Sequence, residues 1–162
     1  MDFNFFLEAS LAGLGKWLRF MGYSTELAQG KIDQKTIQSK TDKFFLITSP
    51  ETAKLLDKAG LPYLLLPKGP LSSQIFFLKH KLNLKLTLTL DICTLCGSKL
   101  IPVKKEDFKE RIPPKVREAY QEFNYCPHCD KLYWEGDHVK RLKKKFKELL
   151  KGVSQASSKG HQ

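Results

Sequence analysis

The sequence predicts a mainly parallel, three-layer α/β domain over residues 1–90, followed by a small four-cysteine unit and a basic helix over 91–150. Three observations carry this. Short apolar runs alternate with amphipathic stretches through the first part of the chain. All four cysteines fall after that part, as two Cys-x-x-Cys pairs. From about His138 to Leu150, apolar residues recur at helical spacing among dense lysines. Alternating β and α elements favour a parallel sheet, because parallel strands need crossover connections that place helices on its faces.

Phe3-Asn4-Phe5-Phe6-Leu7 reads as a buried strand. Ser10 is placed to cap a helix carrying Leu11, Leu14, Leu18 and Met21 on one stripe, with Gly22 at its C-terminal cap. Ser24 to Ala28 gives a second short strand, and Asp33 caps a weak helix to about Lys40. Phe44-Phe45-Leu46-Ile47 is the clearest buried strand. Ser49, Pro50 and Glu51 then open a helix with a cap, a first-turn proline and an acid at the positive end of the dipole. Gly60 closes that helix, Tyr63 to Leu66 forms the next strand, and Leu71, Ile75, Leu78 and Leu82 mark another helix. Leu84, Leu86, Leu88 and Leu90 alternate with Lys85, Thr87 and Thr89, which predicts a final strand with one wet face.

Beyond a boundary set at Leu90–Asp91, two helical stretches are expected, Glu106 to Glu110 and Pro113 to Phe123. Cys93-x-x-Cys96-Gly97 and Cys126-x-x-Cys129 have the spacing of two knuckles that complete a tetrahedral thiolate site for Zn2+. Gly97 suits the positive φ such turns adopt. Four thiolates leave no open coordination place, so the ion is structural. Two disulfides or four free thiols would fit the same count, but neither a thioredoxin context nor an export signal accompanies them. His128 and His138 are expected to face solvent. The C-terminal helix is expected to dock Val139, Leu142 and Phe146 on the ribbon, and residues 151–162 to form a disordered polar tail.

The chain has 162 residues, 41% of them hydrophobic, which argues for a packed core rather than disorder. Its 28 Lys+Arg against 17 Asp+Glu leave a net charge of +11, which points to a polyanionic partner. No apolar run is long enough to cross a membrane. The apolar N-terminal stretch is interrupted by Glu8, Lys16 and Arg19 and lacks a basic start, so it does not read as a signal peptide, and a cytoplasmic, reducing location is expected. Lys140, Arg141, Lys143, Lys144, Lys145 and Lys147 form a positive strip suited to phosphate neutralisation. A solvated helix face and a membrane-surface helix are the competing readings of that strip.

The segment from Phe6 to Tyr23, with Glu8, Lys16, Trp17, Arg19 and Gly22, resembles the opening of the Mut-seven C-terminal RNase domain family. The resemblance continues through Phe45-Leu46-Ile47-Thr48 and Gln74, and is closest in Cys93-x-x-Cys96-Gly97, Arg111-Ile-Pro113-Pro114, Cys126-Pro127-x-Cys129 and Tyr133-Trp134-x-Gly136. It implies a PIN-like parallel sheet with helices on both faces, followed by a zinc ribbon, and a metal-dependent RNase activity. Such chemistry needs carboxylates holding Mg2+ or Mn2+ at the C-terminal edge of the sheet. Glu8 stands at the family's first Asp, and Asp33 matches the helix-start acid. Thr48-Ser49-Pro50 replaces the family's Thr-Arg-Asp, with Glu51 one position later as the substitute.

Three functions follow as expectations. One is an RNase using Glu8, Asp33 and Glu51, with Lys16, Arg19 and the 140–147 strip positioning RNA. The second is a catalytically silent binder of RNA or a ribonucleoprotein. The third is an adaptor that docks a protein partner through the ribbon. Asp33 and Ser49-Pro50-Glu51 are also what ordinary helix starts look like, and Glu8 could simply pair with Lys16 or Arg19.

Overall fold

A computed structural model describes residues 3–89, 91–93 and 95–159. Strand β1 (Asn4–Leu7) is followed by a 3-10 turn at Ala9–Leu11 and helix α1 (Ala12–Phe20). Next come β2 (Ser24–Leu27), α2 (Gln34–Ser39), β3 (Phe44–Ile47), α3 (Pro50–Ala59), β4 (Tyr63–Leu65) and α4 (Leu71–Leu82). The four strands form one parallel sheet in the order β2-β1-β3-β4.

Strand periodicity sorts the aromatic and aliphatic residues onto the two faces. Phe5 and Leu7 of β1 and Leu46 of β3 join a core built with Leu14, Trp17 and Leu18 of α1 and Ile75 and Leu78 of α4. Their neighbours Phe6, Phe45 and Ile47 point the other way, into a second core with Ile37 of α2 and Ala53 and Leu56 of α3. Both central strands are therefore covered on both sides, which explains why β1 and β3 read as continuous apolar runs instead of alternating ones.

The segment after α4 departs from expectation. Leu84 is buried, Leu86 and Leu88 are half-buried against the first core, and Lys85, Thr87 and Thr89 are exposed, so the alternation is real. Yet residues 83–89 form no strand. Tyr23 Oη donates to the Lys85 carbonyl and accepts from the Lys85 amide, both at 2.8 Å, and the Thr89 amide donates to Phe20 O at 3.1 Å. A side chain and a helix end thus take backbone groups that a neighbouring strand would otherwise satisfy. Leu90 lies outside the described residues. Ser10 also differs from expectation: it sits in the 3-10 turn and does not cap α1, whose N-cap position is Leu11.

The second half holds a three-stranded antiparallel sheet in the order β5-β6-β7: β5 (Ile101–Val103), β6 (Phe123–Cys126) and β7 (Lys131–Tyr133). Between β5 and β6 lie a 3-10 stretch at Lys105–Arg111 and α5 (Pro114–Ala119), so the expected helix over 113–123 ends early and Phe123 opens a strand. Helix α6 runs from Asp137 to Lys159, past the expected end at Leu150 and through residues assigned to a disordered tail. Phe146 and Val153 are buried, and Leu149 and Leu150 pack beside them, so one apolar stripe continues beyond Gly152. Gly152 lets α6 approach α4 closely, since a Cβ there would stand 3.0 Å from Ser72 Cβ. Residues 160–162 and the side chain of His138 lie outside what is described.

The apolar face of α6 does not dock on the ribbon alone. Phe146 stacks on Trp17 with ring centroids 5.8 Å apart, and Leu142, Leu149 and Leu150 join the core of α1 and α4. Packing that stripe against α1 and α4 removes its apolar surface from water, which favours this docking.

Candidate functional site

The strand order reverses between β1 and β3: the chain moves from β1 to β2 on one side and then crosses to β3 on the other. In open α/β sheets this switch point, at the C-terminal ends of the strands, leaves a crevice where ligands bind. Glu8 follows β1 directly and Thr48 follows β3 directly, so both stand at that switch point. Glu8 Oε1 accepts the Thr48 amide at 2.9 Å, and Oε2 accepts the hydroxyls of Thr48 and Ser10. Half-burial works against the Glu8 anion, but the Ser10 and Thr48 hydroxyls and the Thr48 and Ser49 amides outweigh it and hold its pKa below the ordinary value. Glu8 is therefore a carboxylate at neutral pH, and its partners are hydroxyls and amides instead of Lys16 or Arg19.

Asp33 occupies the cap of α2, its carboxylate oxygen accepting the Thr36 amide and hydroxyl at 2.8 Å each. These bonds lower its pKa while the group stays exposed. Ser49 caps α3 by accepting from the Thr52 amide, and Glu51 is exposed in the first turn of that helix. All three acids follow the C-terminal ends of strands. They are not, however, drawn within a shared ion's reach: among the described residues the group of ligand-type side chains that close is the cysteine set. Neither Thr48 nor Ser10 stands out from spacing as a partner of Glu8. A hydroxyl next to a strand end becomes a partner only once β1 and β3 lie side by side.

The four cysteine Sγ atoms lie within 4.8 Å of one another, with Cys93 and Cys126 buried. Cys93 and Cys129 are 3.9 Å apart and Cys96 and Cys126 3.5 Å. A tetrahedral ion with ~2.3 Å bonds to sulfur would space its ligands by about 3.8 Å, so the set fits a metal ion such as zinc in a closed structural site. No disulfide joins them. His128 is exposed, as expected. Gly97 has φ +78°, and a Cβ there would sit 3.0 Å from Thr25 O. The same carbonyl accepts Arg19 Nε at 2.9 Å, so the first knuckle abuts β2 through Arg19. Burial raises the Cys93 pKa, but hydrogen bonds led by that from Tyr133 Oη, 3.0 Å from Sγ, bring it down to about 6.

Lys140, Arg141, Lys143, Lys144, Lys145 and Lys147 are all exposed on α6, opposite its buried stripe, with Lys143 paired to Glu135 at 3.2 Å. Lys16 is also exposed, its Nζ lying 5.8 Å from the Phe20 ring centroid. Arg19 is half-buried and joined to Thr25, so part of its guanidinium already serves the contact between ribbon and sheet.

The family model of the Mut7-C RNAse domain matches residues 3–146. The chain belongs to that family. At the end of β3, Pro50 opens α3 and the Thr48 side chain binds Glu8. No curated protein and no solved structure matches the chain. Among the described residues no helix is long and apolar enough to cross a membrane.

Proposed function

We propose that this Mut7-C RNAse domain is a divalent-metal-dependent ribonuclease working at the crevice between β1 and β3, with a structural Zn2+ in the ribbon. The observation that carries the reading is Glu8, an ionised carboxylate held at the sheet's switch point by Thr48 and Ser10. Its carboxylate oxygens suit a hard cation such as Mg2+ or Mn2+. Asp33 and Glu51, at the starts of α2 and α3, are further acids that this structure does not draw to the same ion. When bound, the ion polarises the phosphate and lowers the pKa of a water. Thr48 and Ser10 fix the carboxylate's orientation and keep it ionised. Lys16 and the α6 strip from Lys140 to Lys147 bring the RNA backbone to the protein by phosphate neutralisation. A cytoplasmic, reducing setting keeps the four thiols available as ligands.

One observation favours a second reading. Glu8's acceptor sites are largely filled by protein donors and Asp33 serves as a cap, an arrangement that also suits a silent RNA- or ribonucleoprotein-binding module of nuclease descent. RNA cleavage in Mn2+ and then Mg2+, comparing wild type with Glu8→Ala and Asp33→Ala after confirming zinc content, separates the two. Metal-dependent cleavage lost in both variants supports the nuclease. Salt-sensitive RNA binding without cleavage in any protein sinks it and leaves the binding module.

A further inference from the structure

A cavity of about 390 Å³ opens where the end of α1, the β6–β7 hairpin and the start of α6 meet. It is remote in the fold from the β1–β3 crevice and serves no step proposed there. Its volume falls in the range of small-ligand pockets. Phe20, Tyr133 and Trp134 line it, together with Asn124. The aromatic walls are held in place: Trp134 leans on buried Phe123 at 6.0 Å between centroids, and Tyr133 Oη is tied to Cys93 Sγ. Asn124 faces Tyr133 directly across the β6–β7 register. Among the described residues its half-buried carboxamide has no hydrogen-bond partner.

We infer that this cavity binds one unpaired adenine base. The inference rests on the RNA reading above and adds a base-specific contact to it. Stacking on an aromatic side chain accepts any base. On a purine's N7 edge, a carboxamide's adjacent acceptor and donor complement adenine's amino group and N7; guanine presents two acceptors there, and the corresponding edge of a pyrimidine has no ring nitrogen. Two carboxylates, Glu122 and Glu135, also line the cavity and disfavour a phosphate inside it, whereas a neutral base is indifferent to them. Lys131, whose Nζ sits 5.2 Å from the Tyr133 ring centroid, stands at the wall where the phosphate flanking a seated base would pass.

The test is chemical-shift mapping on the 15N-labelled, zinc-loaded full chain, titrated with adenosine and separately with uridine. Adenosine is expected to move the Trp134 indole N–H and the Asn124 carboxamide signals, with uridine weaker. Asn124→Ala is expected to weaken adenosine by about tenfold, read at the Trp134 indole. Asn124→Asp, which keeps the size but removes the donors, should do the same if the alanine variant folds poorly. No shift with adenosine, equal shifts with uridine, or unchanged affinity in both variants would overturn the assignment. A single-stranded RNA titration across 50–200 mM salt judges the RNA reading separately. Adenosine binding without RNA binding would sink that reading and leave the adenine site standing.

Discussion

Glu8 is held by donors that come from two places in the chain, Ser10 beside it and Thr48 from the adjacent strand end. A carboxyl whose folded pKa lies below its ordinary 4.5 stabilises the fold above that pH and loses the contribution as pH falls through the folded value. Replacing Thr48 by Val removes the hydroxyl and keeps the shape. It should cost about 1 kcal/mol at neutral pH, after allowance for solvent screening. The cost should shrink below pH 4.5, as urea midpoints measured against pH would show. A penalty that stays constant with pH would mean the hydroxyl acts on something other than the carboxylate. Cysteine protonation gives a second expectation at this scale. With Cys93 at about 6 and Cys129 pushed up to about 12, chiefly by its hydrogen bond with Cys96, metal must displace protons to bind all four sulfurs. Zinc affinity should therefore rise with pH, with proton release on loading detectable in weakly buffered solution.

Helix α6 shows how the rest of the fold chooses an element's partner. Its apolar stripe is legible in the sequence, because Val139, Leu142, Phe146, Leu149 and Leu150 repeat at helical spacing, but the surface that receives it is not. Phe146 lies on Trp17 in the α/β core. Phe146→Ala should cost about 3–5 kcal/mol and shift Trp17 fluorescence toward that of a solvated indole. A helix docked only on the ribbon would leave Trp17 fluorescence unchanged. The 83–89 segment makes the opposite point, since its alternation shows in the sequence and its backbone pairing does not. Tyr23→Phe removes both hydrogen bonds to Lys85. About 1 kcal/mol of stability should go with them, and the Lys85 amide should exchange faster with solvent.

At the scale of the molecule, the metal site and the two α/β cores are separate clusters, touching where Gly97 and Arg19 meet Thr25. Chelation should therefore unravel the ribbon first and leave most of the helical far-UV signal. Simultaneous loss of both would show that the contact through Arg19 couples them fully. Charge also belongs to this scale, because the net +11 is spread along the chain while α6, among its described side chains, gathers seven exposed cations, Lys151 included, on one face. Replacing Lys144, Lys145 and Lys147 by Gln should weaken RNA binding across sequences. The salt dependence should flatten by about 0.7 for each phosphate of a single-stranded RNA that is no longer neutralised.

Strands β1 and β3, the caps at Asp33 and Ser49, the cysteine set and the lysine face of α6 are all written in the chain itself. Each is a local matter of period, spacing or turn chemistry within a few residues. Other outcomes had to wait for the folded molecule: that Thr48 holds Glu8, that α6 lies on Trp17, that residues 83–89 hang on Tyr23 instead of a strand, and that Asn124 faces a cavity. Those outcomes depend on which distant surfaces meet, and long-range packing leaves no periodic trace in the chain.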